Sequence, residues 1–247
     1  MSKFDLDGKV CVVTGGGGSI GGATCLELAA GGGRIVAAGR TQKTLDAIVE
    51  KVRAMGQEAI AVVTDVTKPD QVDNMVSETI RTFGSLDVLV NNAGRGSRMV
   101  QPEETPYDQW LERIDVNLTS AFLCSIAAGK QMIEQKSGRI INISSTAGTK
   151  GNPYMLAYSA AKAGMISLSN NLAFMWKGHN IYVNCILPGA IAPAGTVEDE
   201  TVPPLELRPG PDHVANMIRY LASPASEMVT GEVIPVRAWF RSDRFWN

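Results

Sequence analysis

The chain has 247 residues, and its 45% of hydrophobic and 19% of charged residues are typical of a globular protein with a large core. A net charge of −2 without a basic block argues against binding to nucleic acid or to an anionic membrane. No run of about 18 apolar residues occurs, and the first residues lack the apolar core of a signal peptide. We therefore expect no membrane span and a cytoplasmic location.

Short apolar runs alternate with helical patterns along the chain. Most runs are rich in Val and Ile, and they cover residues 9–14, 34–38, 58–64, 87–91, 139–143, 181–186 and 232–236. The helical patterns cover residues 20–31, 42–55, 69–83, 108–135, 155–177 and 212–222. Runs that are apolar on both faces are typical of strands covered by helices on both sides. The alternation predicts one α/β domain, residues 1–247, with a doubly wound and mostly parallel sheet.

Two segments break this alternation. Residues 188–211 are rich in Pro and Gly, which predicts a loop. Residues 237–247 form an atypical C-terminal tail with three Arg and four aromatic residues. This tail could fill an apolar groove at a subunit interface, be disordered, or be an artificial extension.

The four cysteines, Cys11, Cys25, Cys124 and Cys185, lie in apolar segments and form no CxxC pair. The chain has only two histidines, so we predict no metal site. Free cysteines in apolar segments are usually buried, and they persist in reducing compartments. We expect four buried free thiols.

A glycine-rich stretch, TGGGGSIG at residues 14–21, joins the first strand to the first helix. Residues without side chains let the backbone approach a pyrophosphate, whose charge meets free N–H groups and the positive end of the helix. A tight turn alone would also explain the glycines. The position after the first strand favours dinucleotide binding, with contacts from Gly15, Gly17, Gly18, Ser19 and Ile20.

The end of the second strand bears on the choice of dinucleotide. The strand ends in Gly39 and Arg40, and no carboxylate follows before Asp46. An acidic residue here would bind the ribose of NAD, whereas a guanidinium group suits the 2′-phosphate of NADP. We predict a preference for NADP(H). In the alternative, NAD(H) is used and Arg40 is a solvated charge.

Tyr158 and Lys162 are four residues apart in a helical pattern and therefore share one helix face. Interconverting an alcohol and a carbonyl requires a group that moves a proton while a hydride moves to or from a nicotinamide. The ordinary pKa of tyrosine is near 10, and a neighbouring ammonium group favours the phenolate. Alone, this Tyr–Lys spacing is weak evidence for a catalytic site, because such a pair is often only a surface contact. Ser145, 13 residues before Tyr158, and Asn117 add specificity.

Together these motifs resemble the short-chain dehydrogenase/reductase family. Three segments carry the resemblance, namely the glycine stretch, similar to TGxxxGxG; Asn91–Gly94, similar to NNAG; and the set Asn117, Ser145, Tyr158 and Lys162, similar to the catalytic tetrad. Ser19 replaces the middle glycine of the first motif. Its side chain either adds strain that Gly18 absorbs or supplies a hydroxyl group to a phosphate.

The resemblance implies a Rossmann-like fold with about seven strands in the order 3-2-1-4-5-6-7. It assigns Tyr158 as acid/base and Ser145 as hydrogen-bond donor to the substrate oxygen, with Ser144 as a rival that the spacing disfavours. Lys162 would bind the nicotinamide ribose and lower the pKa of Tyr158. Asn117 would hold a water molecule in a proton relay.

The resemblance also implies further cofactor contacts. Asp65 and Val66 would hold the adenine, and Asn92, Ala93 and Gly94 would border the nicotinamide ribose. Pro188, Gly189 and Ile191 would lie beside the carboxamide. The family usually has a threonine five residues after this proline, where this chain has Pro193. The carboxamide would then contact the Ile191 backbone or Thr196.

The predicted function is an oxidoreductase that transfers a hydride between NADP(H) or NAD(H) and a small alcohol or carbonyl. A 3-oxoacyl thioester reductase and a polyol, sugar or cyclic-alcohol dehydrogenase both stay open. The loop at 188–211 is shorter than in the bacterial 3-oxoacyl-carrier-protein reductases, which implies an open site. A dinucleotide sensor without turnover and a nucleotide-sugar epimerase or dehydratase are the alternatives. The family is mostly oligomeric, so we expect a homotetramer or homodimer.

Overall fold

The computed structural model describes residues 2–96, 99–193, 195–196 and 207–237. Parallel strands form one sheet in the order β3-β2-β1-β4-β5-β6-β7, which confirms the implied topology. The strands are β1 (Val10–Thr14), β2 (Arg34–Gly39), β3 (Ala59–Val63), β4 (Val88–Asn91), β5 (Gly138–Ile143), β6 (Ile181–Pro188) and β7 (Val233–Val236). Each lies within two residues of its predicted bounds.

The helices connect these strands. They are α1 (Ser19–Ala30), α2 (Gln42–Ala54), α3 (Pro69–Phe83), α4 (Tyr107–Ile114), α5 (Ser120–Gln135), α6 (Ala147–Lys150), α7 (Leu156–Trp176) and α8 (Pro211–Ala222). The predicted helix at 108–135 is divided by a π-helical segment, Asp115–Thr119. Helix α6 was not predicted, because four residues are too few to show a helical period. Within the described residues, no helix is long and apolar enough to cross a membrane.

Each face of the sheet has its own apolar core. Along β1, Cys11 and Val13 point to the core that contains residues of α1, α2 and α8. Val10 and Val12 point to the other core, which contains residues of α3, α5 and α7. Because helices cover both faces, the carboxyl edge, where the parallel strands end, is the place left for a ligand.

All four cysteines are free and buried, as predicted. Burial raises the pKa of Cys185 to about 11 and those of Cys25 and Cys124 to about 12, from an ordinary value of 9.0. We expect the native chain to react only slowly with a disulfide reagent such as DTNB at pH 8, because the nucleophile is the exposed thiolate. All four thiols should react at once in denaturant. Rapid reaction of even one thiol in the native chain would contradict this burial.

Two predicted segments lie partly outside the described residues. In the loop at 188–211 these are residues 194 and 197–206, and in the tail they are residues 238–247. The base of the loop is closed by a backbone hydrogen bond of 3.0 Å, which the N–H of Ala192 donates to the carbonyl of Pro209. The loop therefore begins and ends close together, beside the end of β6.

Candidate active site

The glycine-rich segment turns the chain from β1 into α1. Gly15 has a φ of +66°, a conformation that favours glycine. A Cβ atom at Gly21 would overlap the carbonyl oxygen of Gly15, so these two residues need the space. No side chain caps α1, whose N-cap is Gly18. The turn therefore forms a cradle in which an anionic group can approach the positive end of the helix.

The turn lines a cavity of about 550 Å³, to which Gly15, Gly17, Gly18, Ser19 and Ile20 all contribute. Ser19 is the first residue of α1, so its backbone is helical and accommodates a Cβ atom without strain. Its exposed side chain adds a hydroxyl group to the cradle. The departure from the family motif thus changes the chemistry of the turn rather than its backbone.

A neighbouring cavity of about 650 Å³ brings Arg40, Asp65 and Val66 together. The Asp65 carboxylate accepts hydrogen bonds from the N–H (3.0 Å) and the hydroxyl (2.8 Å) of Thr67. Burial acts to raise the pKa of Asp65, but these hydrogen bonds and the charges of Arg40 and Lys68 lower it below its ordinary value. Asp65 is therefore a carboxylate at neutral pH.

The NNAG segment is tied to the end of β1. The Thr14 hydroxyl accepts hydrogen bonds of 3.0 Å from the N–H groups of Asn92 and Ala93 and donates one to the carbonyl of Val90. The Asn92 side chain donates to the carbonyl of Thr14 at 2.9 Å. Asn92, Ala93 and Gly94 line the cavity at the glycine turn as a result.

A buried chain of polar side chains, which we call the amide ladder, runs behind the site. The Asn91 side chain donates to Asn142 Oδ1 (2.8 Å) and to the Ser125 hydroxyl (2.9 Å), and Asn142 in turn donates to the Ser169 hydroxyl (2.8 Å). These residues lie on β4, β5, α5 and α7. The ladder thus fixes two helices against the centre of the sheet.

A third cavity, of about 240 Å³ and here called the catalytic cavity, contains Asn117, Ser145, Tyr158 and Lys162 in its lining. The Tyr158 hydroxyl interacts with the Ser145 side chain, which acts to lower the pKa of Tyr158. Ser145 Oγ also accepts a 3.1 Å hydrogen bond from the N–H of Ala147, the first residue of α6. The structure therefore brings the four predicted tetrad residues together at the carboxyl edge.

Ser144 and Ser145 have different roles in this geometry. Ser144 is buried, and its hydroxyl donates a 2.8 Å hydrogen bond to the carbonyl of Lys162. That contact ties the end of β5 to α7. Ser145 is the serine whose hydroxyl meets the phenol of Tyr158. The geometry thus favours the same serine as the sequence spacing.

Burial raises the pKa of Tyr158, and the hydrogen bond with Ser145 offsets this only in part. Burial also lowers the pKa of Lys162 to about 8. Lys162 Nζ donates to the carbonyl of Ile143 at 2.7 Å and lies 5.7 Å from the centre of the Tyr158 ring. The direction of the Tyr158 pKa is set here by burial and by Ser145, so the expectation that Lys162 lowers this pKa stays a prediction.

Asn117 lies in the π-helical segment and is fully buried. Its Oδ1 accepts from the N–H of Arg95 at 3.1 Å, and its Nδ2 donates to the carbonyls of Arg95 (2.9 Å) and Arg113 (3.0 Å). The hydrogen bonds of this side chain thus go to the backbone of Arg95 and Arg113. This leaves the main-chain carbonyl as the better acceptor for a water molecule.

Pro188, Gly189 and Ile191 complete the catalytic cavity on the β6 side. The N–H of Gly189 donates to the carbonyl of Val236 at 2.9 Å, which fixes this segment to β7. The Thr196 hydroxyl donates to the carbonyl of Pro193 at 2.7 Å. Of the two expected partners for a carboxamide, Ile191 is the one that borders the cavity.

Comparison with known proteins agrees with this geometry. Residues 9–201 match the family model described as short chain dehydrogenase. The chain belongs to the short-chain dehydrogenase family. It is an NAD(P)-dependent oxidoreductase of that family. All four residues that match the tetrad are present in the chain.

Two curated relatives of this short-chain dehydrogenase are named 3-oxoacyl-[acyl-carrier-protein] reductase. The one from Synechocystis sp. is 41% identical over 94% of this chain and 96% of its own length. The one from Thermotoga maritima is 36% identical over 94% of this chain and 97% of its own length. Among solved structures, NAD⁺-bound xylitol dehydrogenase has a TM-score of 0.89 and 32% identity, covering 95% of this chain and 99% of that one.

The sequence analysis missed several residues of this short-chain dehydrogenase that line its cavities. Arg95, Gly96 and Ile143 border the catalytic cavity. Thr41 and Thr44 border the cavity at the glycine turn, and Glu112 borders the one with Asp65. Arg95 and Gly96 directly follow NNAG, so their position after β4 was a signal that could have found them.

Proposed function

We propose that this short-chain dehydrogenase interconverts an alcohol and a carbonyl, with Tyr158 as the acid/base. The proposal depends on one observation above all, that Tyr158 and Ser145 interact in a single cavity that Lys162 also lines. A bound nicotinamide cofactor supplies the hydride when the carbonyl is reduced. The residues of the chain would bind and orient the substrate and supply the proton.

The shape of the carboxyl edge fits a dinucleotide. The cradle at Gly15 and Gly21 leaves no room for side chains, as expected where backbone meets a pyrophosphate. Gly94 lines all three cavities. Ile20 and Asn92 line the catalytic cavity and the cavity at the glycine turn, and Gly15 lines the latter and the cavity with Asp65, so the cavities form a continuous path along the edge. We assign the cofactor contacts to the residues expected from sequence, namely Gly15, Gly17, Gly18, Ser19, Ile20, Arg40, Asp65, Val66, Asn92, Ala93, Gly94, Tyr158, Lys162, Pro188, Gly189 and Ile191.

The proton chemistry follows from the two hydroxyl groups. In reduction, the Ser145 hydroxyl would donate a hydrogen bond to the carbonyl oxygen, and the neutral phenol of Tyr158 would give its proton to that oxygen. The phenol O–H bond breaks as the alcohol O–H bond forms. Lys162 then lies beside the resulting phenolate, and a water molecule on the Asn117 carbonyl would return the proton. Placed proton transfer of this kind contributes about 10²–10⁴-fold in rate.

Replacing Arg40 by alanine is expected to change the cofactor preference. Arg40 borders both the glycine turn and the Asp65 cavity, where a 2′-phosphate would lie. Losing a charged hydrogen-bond partner costs about 1.5–3 kcal/mol, so kcat/KM for NADPH should fall about 10- to 100-fold. The value for NADH should change little, and Arg81→Ala, at an exposed site on α3, should change neither. A wild-type preference for NADH that survives in Arg40→Ala would contradict the NADP(H) assignment.

For the substrate, we propose chemical classes rather than a single compound. The two relatives named above act on 3-oxoacyl thioesters, and the structural neighbour acts on a polyol, so both classes stay open. Purified protein with NADPH or NADH can be followed at 340 nm against oxoacyl thioesters, neutral ketones, sugars and polyols. Turnover with at least one class supports the proposed function. Tight cofactor binding without any turnover would favour the dinucleotide sensor instead.

We further propose a homo-oligomer, a tetramer or a dimer. Helices α4, α5 and α7 carry large exposed apolar side chains, among them Leu111, Phe122, Phe174 and Met175. Such side chains on neighbouring helices favour burial against another copy. The four buried free thiols fit a reducing compartment, so we propose the cytoplasm as the location.

A further inference from the structure

Three charged residues that the tetrad does not use lie in contact next to the catalytic cavity, and one of them, Arg95, lines it. Arg95, Glu112 and Arg113, here called the arginine cluster, lie just after β4 and at the end of α4. Arg95 Nη1 is 3.2 Å from Glu112 Oε1, and Arg113 Nη1 is 2.8 Å from that same oxygen. Two guanidinium groups therefore share one carboxylate, and the cluster carries a net positive charge.

The backbone of Arg95 is held in place by the tetrad. Asn117 accepts from its N–H and donates to its carbonyl, so Arg95 has a fixed position relative to the catalytic residues. Its side chain lines both the catalytic cavity and the cavity with Asp65, and it is 60% exposed. A guanidinium group has five N–H donors, and a single contact with Glu112 leaves others for a ligand.

Arg113 competes with Arg95 for the Glu112 carboxylate. Its side chain is only 5% exposed, and within the described residues its Nε and Nη1 make no hydrogen bond, since the close approach to Glu112 has poor angles. A buried charge without hydrogen bonds strongly favours a closer carboxylate. The Arg95–Glu112 pair is itself exposed, at 60% and 52%, and such pairs contribute little. Glu112 Oε1 already lies closer to Arg113 (2.8 Å) than to Arg95 (3.2 Å), so it can stay with Arg113 when another anion binds Arg95.

The charged residues that line the catalytic cavity also favour an anionic group on the substrate. Among the described residues that line the catalytic cavity, the charged ones are Lys162 and Arg95, and both are cationic. Lys162 faces the carbonyl of Ile143 and the ring of Tyr158. Arg95 is the cation left to meet a group on the substrate. A planar guanidinium group suits a carboxylate, which it can bind through two parallel hydrogen bonds.

We propose that Arg95 binds a carboxylate of the substrate while the reacting oxygen lies at Ser145 and Tyr158. The substrate class is then an oxo acid and the corresponding hydroxy acid. This inference rests on the proposed function and names the substrate class of the same site. Arg95 is a specificity-determining residue, and Glu112 and Arg113 set the charge available to it.

The test compares substrates that share a carbon skeleton and oxidation level and differ in whether the carboxyl group is charged. The pairs are acetoacetate with methyl acetoacetate and gluconate with gluconamide, and each is assayed at saturating cofactor at 340 nm. For the wild type, kcat/KM for the acid should exceed that for the neutral partner by about tenfold or more, as expected for one charge-assisted contact. The ratio should fall as salt is raised, because the site is partly exposed.

Arg95→Gln should abolish this ratio through a higher KM for the acid, and kcat/KM for the neutral substrate and the KM for the cofactor should change much less. Arg95→Lys should keep part of the ratio. Arg81→Gln, at an exposed arginine on α3 that pairs with Glu78, is the matched control and should change nothing.

Three outcomes would overturn the inference. The first is a wild type that reduces or oxidises neutral substrates or oxoacyl thioesters but prefers no acid. In the second, Arg95→Gln lowers acid and neutral rates alike, which indicates a structural role. In the third, the cofactor KM rises instead, which assigns Arg95 to the cofactor. Failure of the wild type with every carbonyl and alcohol would refute the proposed function itself, and this result is distinct from the other three.

Discussion

Replacement of Tyr158 by phenylalanine is expected to lower kcat by about 10²–10⁴-fold, the range for loss of a placed proton donor. The variant keeps the ring, which lies 5.7 Å from Lys162 Nζ and is mostly buried, so the fold and the cofactor cradle should persist. Only the hydroxyl that meets Ser145 is removed. Turnover can be measured at 340 nm, and the Kd for the cofactor by fluorescence titration.

The matched control for this variant is Tyr182→Phe. Tyr182 lies near the start of β6, away from the carboxyl edge, and its ring stacks on the guanidinium group of Arg139. Phenylalanine keeps that contact, so this variant should retain activity. Near-normal turnover in Tyr158→Phe, or an equal loss in both variants, would refute the role of the Tyr158 hydroxyl. A large loss of cofactor affinity in Tyr158→Phe would also contradict the expected separation of binding from chemistry.

Replacement of Lys162 by methionine is expected to lower kcat/KM by about 10²-fold or more, as is common when one fixed charge is removed from an active site. The ammonium group would bind the nicotinamide ribose, so the cofactor KM should rise as well. Methionine fills similar space but cannot donate to the carbonyl of Ile143. Full activity with unchanged cofactor KM would rule out a role for the charge.

The same variant tests the pKa of Lys162 through stability. Burial lowers that pKa from 10.5 to about 8 in the folded chain. Between these two values the unfolded chain binds a proton that the folded chain does not, so the contribution of Lys162 to the free energy of unfolding rises with pH. Its destabilising effect is full below pH 8 and is lost by about pH 10.5.

Denaturant unfolding of both proteins from pH 7 to 10.5 provides the measurement. The free energy of unfolding of the wild type, minus that of Lys162→Met, should increase across this range. The buried cysteines act in both proteins, so their effect largely cancels in the difference. A flat difference would mean that Lys162 keeps an ordinary pKa in the folded chain.

Much of the fold and the tetrad was predictable because the signals are local. Alternating apolar runs and helical periods located the strands and most helices, whereas the strand order and the grouping of Ser145, Tyr158 and Lys162 came from the resemblance to the family. The choice of Ser145 over Ser144 also came from spacing. These features depend on helix and strand periods, which short stretches of sequence encode directly.

Other features depend on contacts between distant segments. The pair Arg95 and Glu112 joins the chain after β4 to α4, and the conformation of the intervening loop is not set by any periodic pattern. That Asn117 holds a water molecule stays a prediction, but the hydrogen bonds of its side chain to the Arg95 backbone were not predictable from sequence, because they join the π-helical segment to the chain after β4. The raised pKa of Tyr158 reflects burial by several elements together, which no single motif reports.

The amide ladder has a consequence for engineering new specificity. Its hydrogen bonds lie inside the protein, where a member replaced by an apolar residue would leave its partners unsatisfied at a cost of about 1–3 kcal/mol each. Mutant libraries that include Asn91 or Asn142 would therefore consist largely of poorly folding clones. Diversity is better introduced at Arg95 and at Ile191, which line the catalytic cavity and do not belong to the ladder.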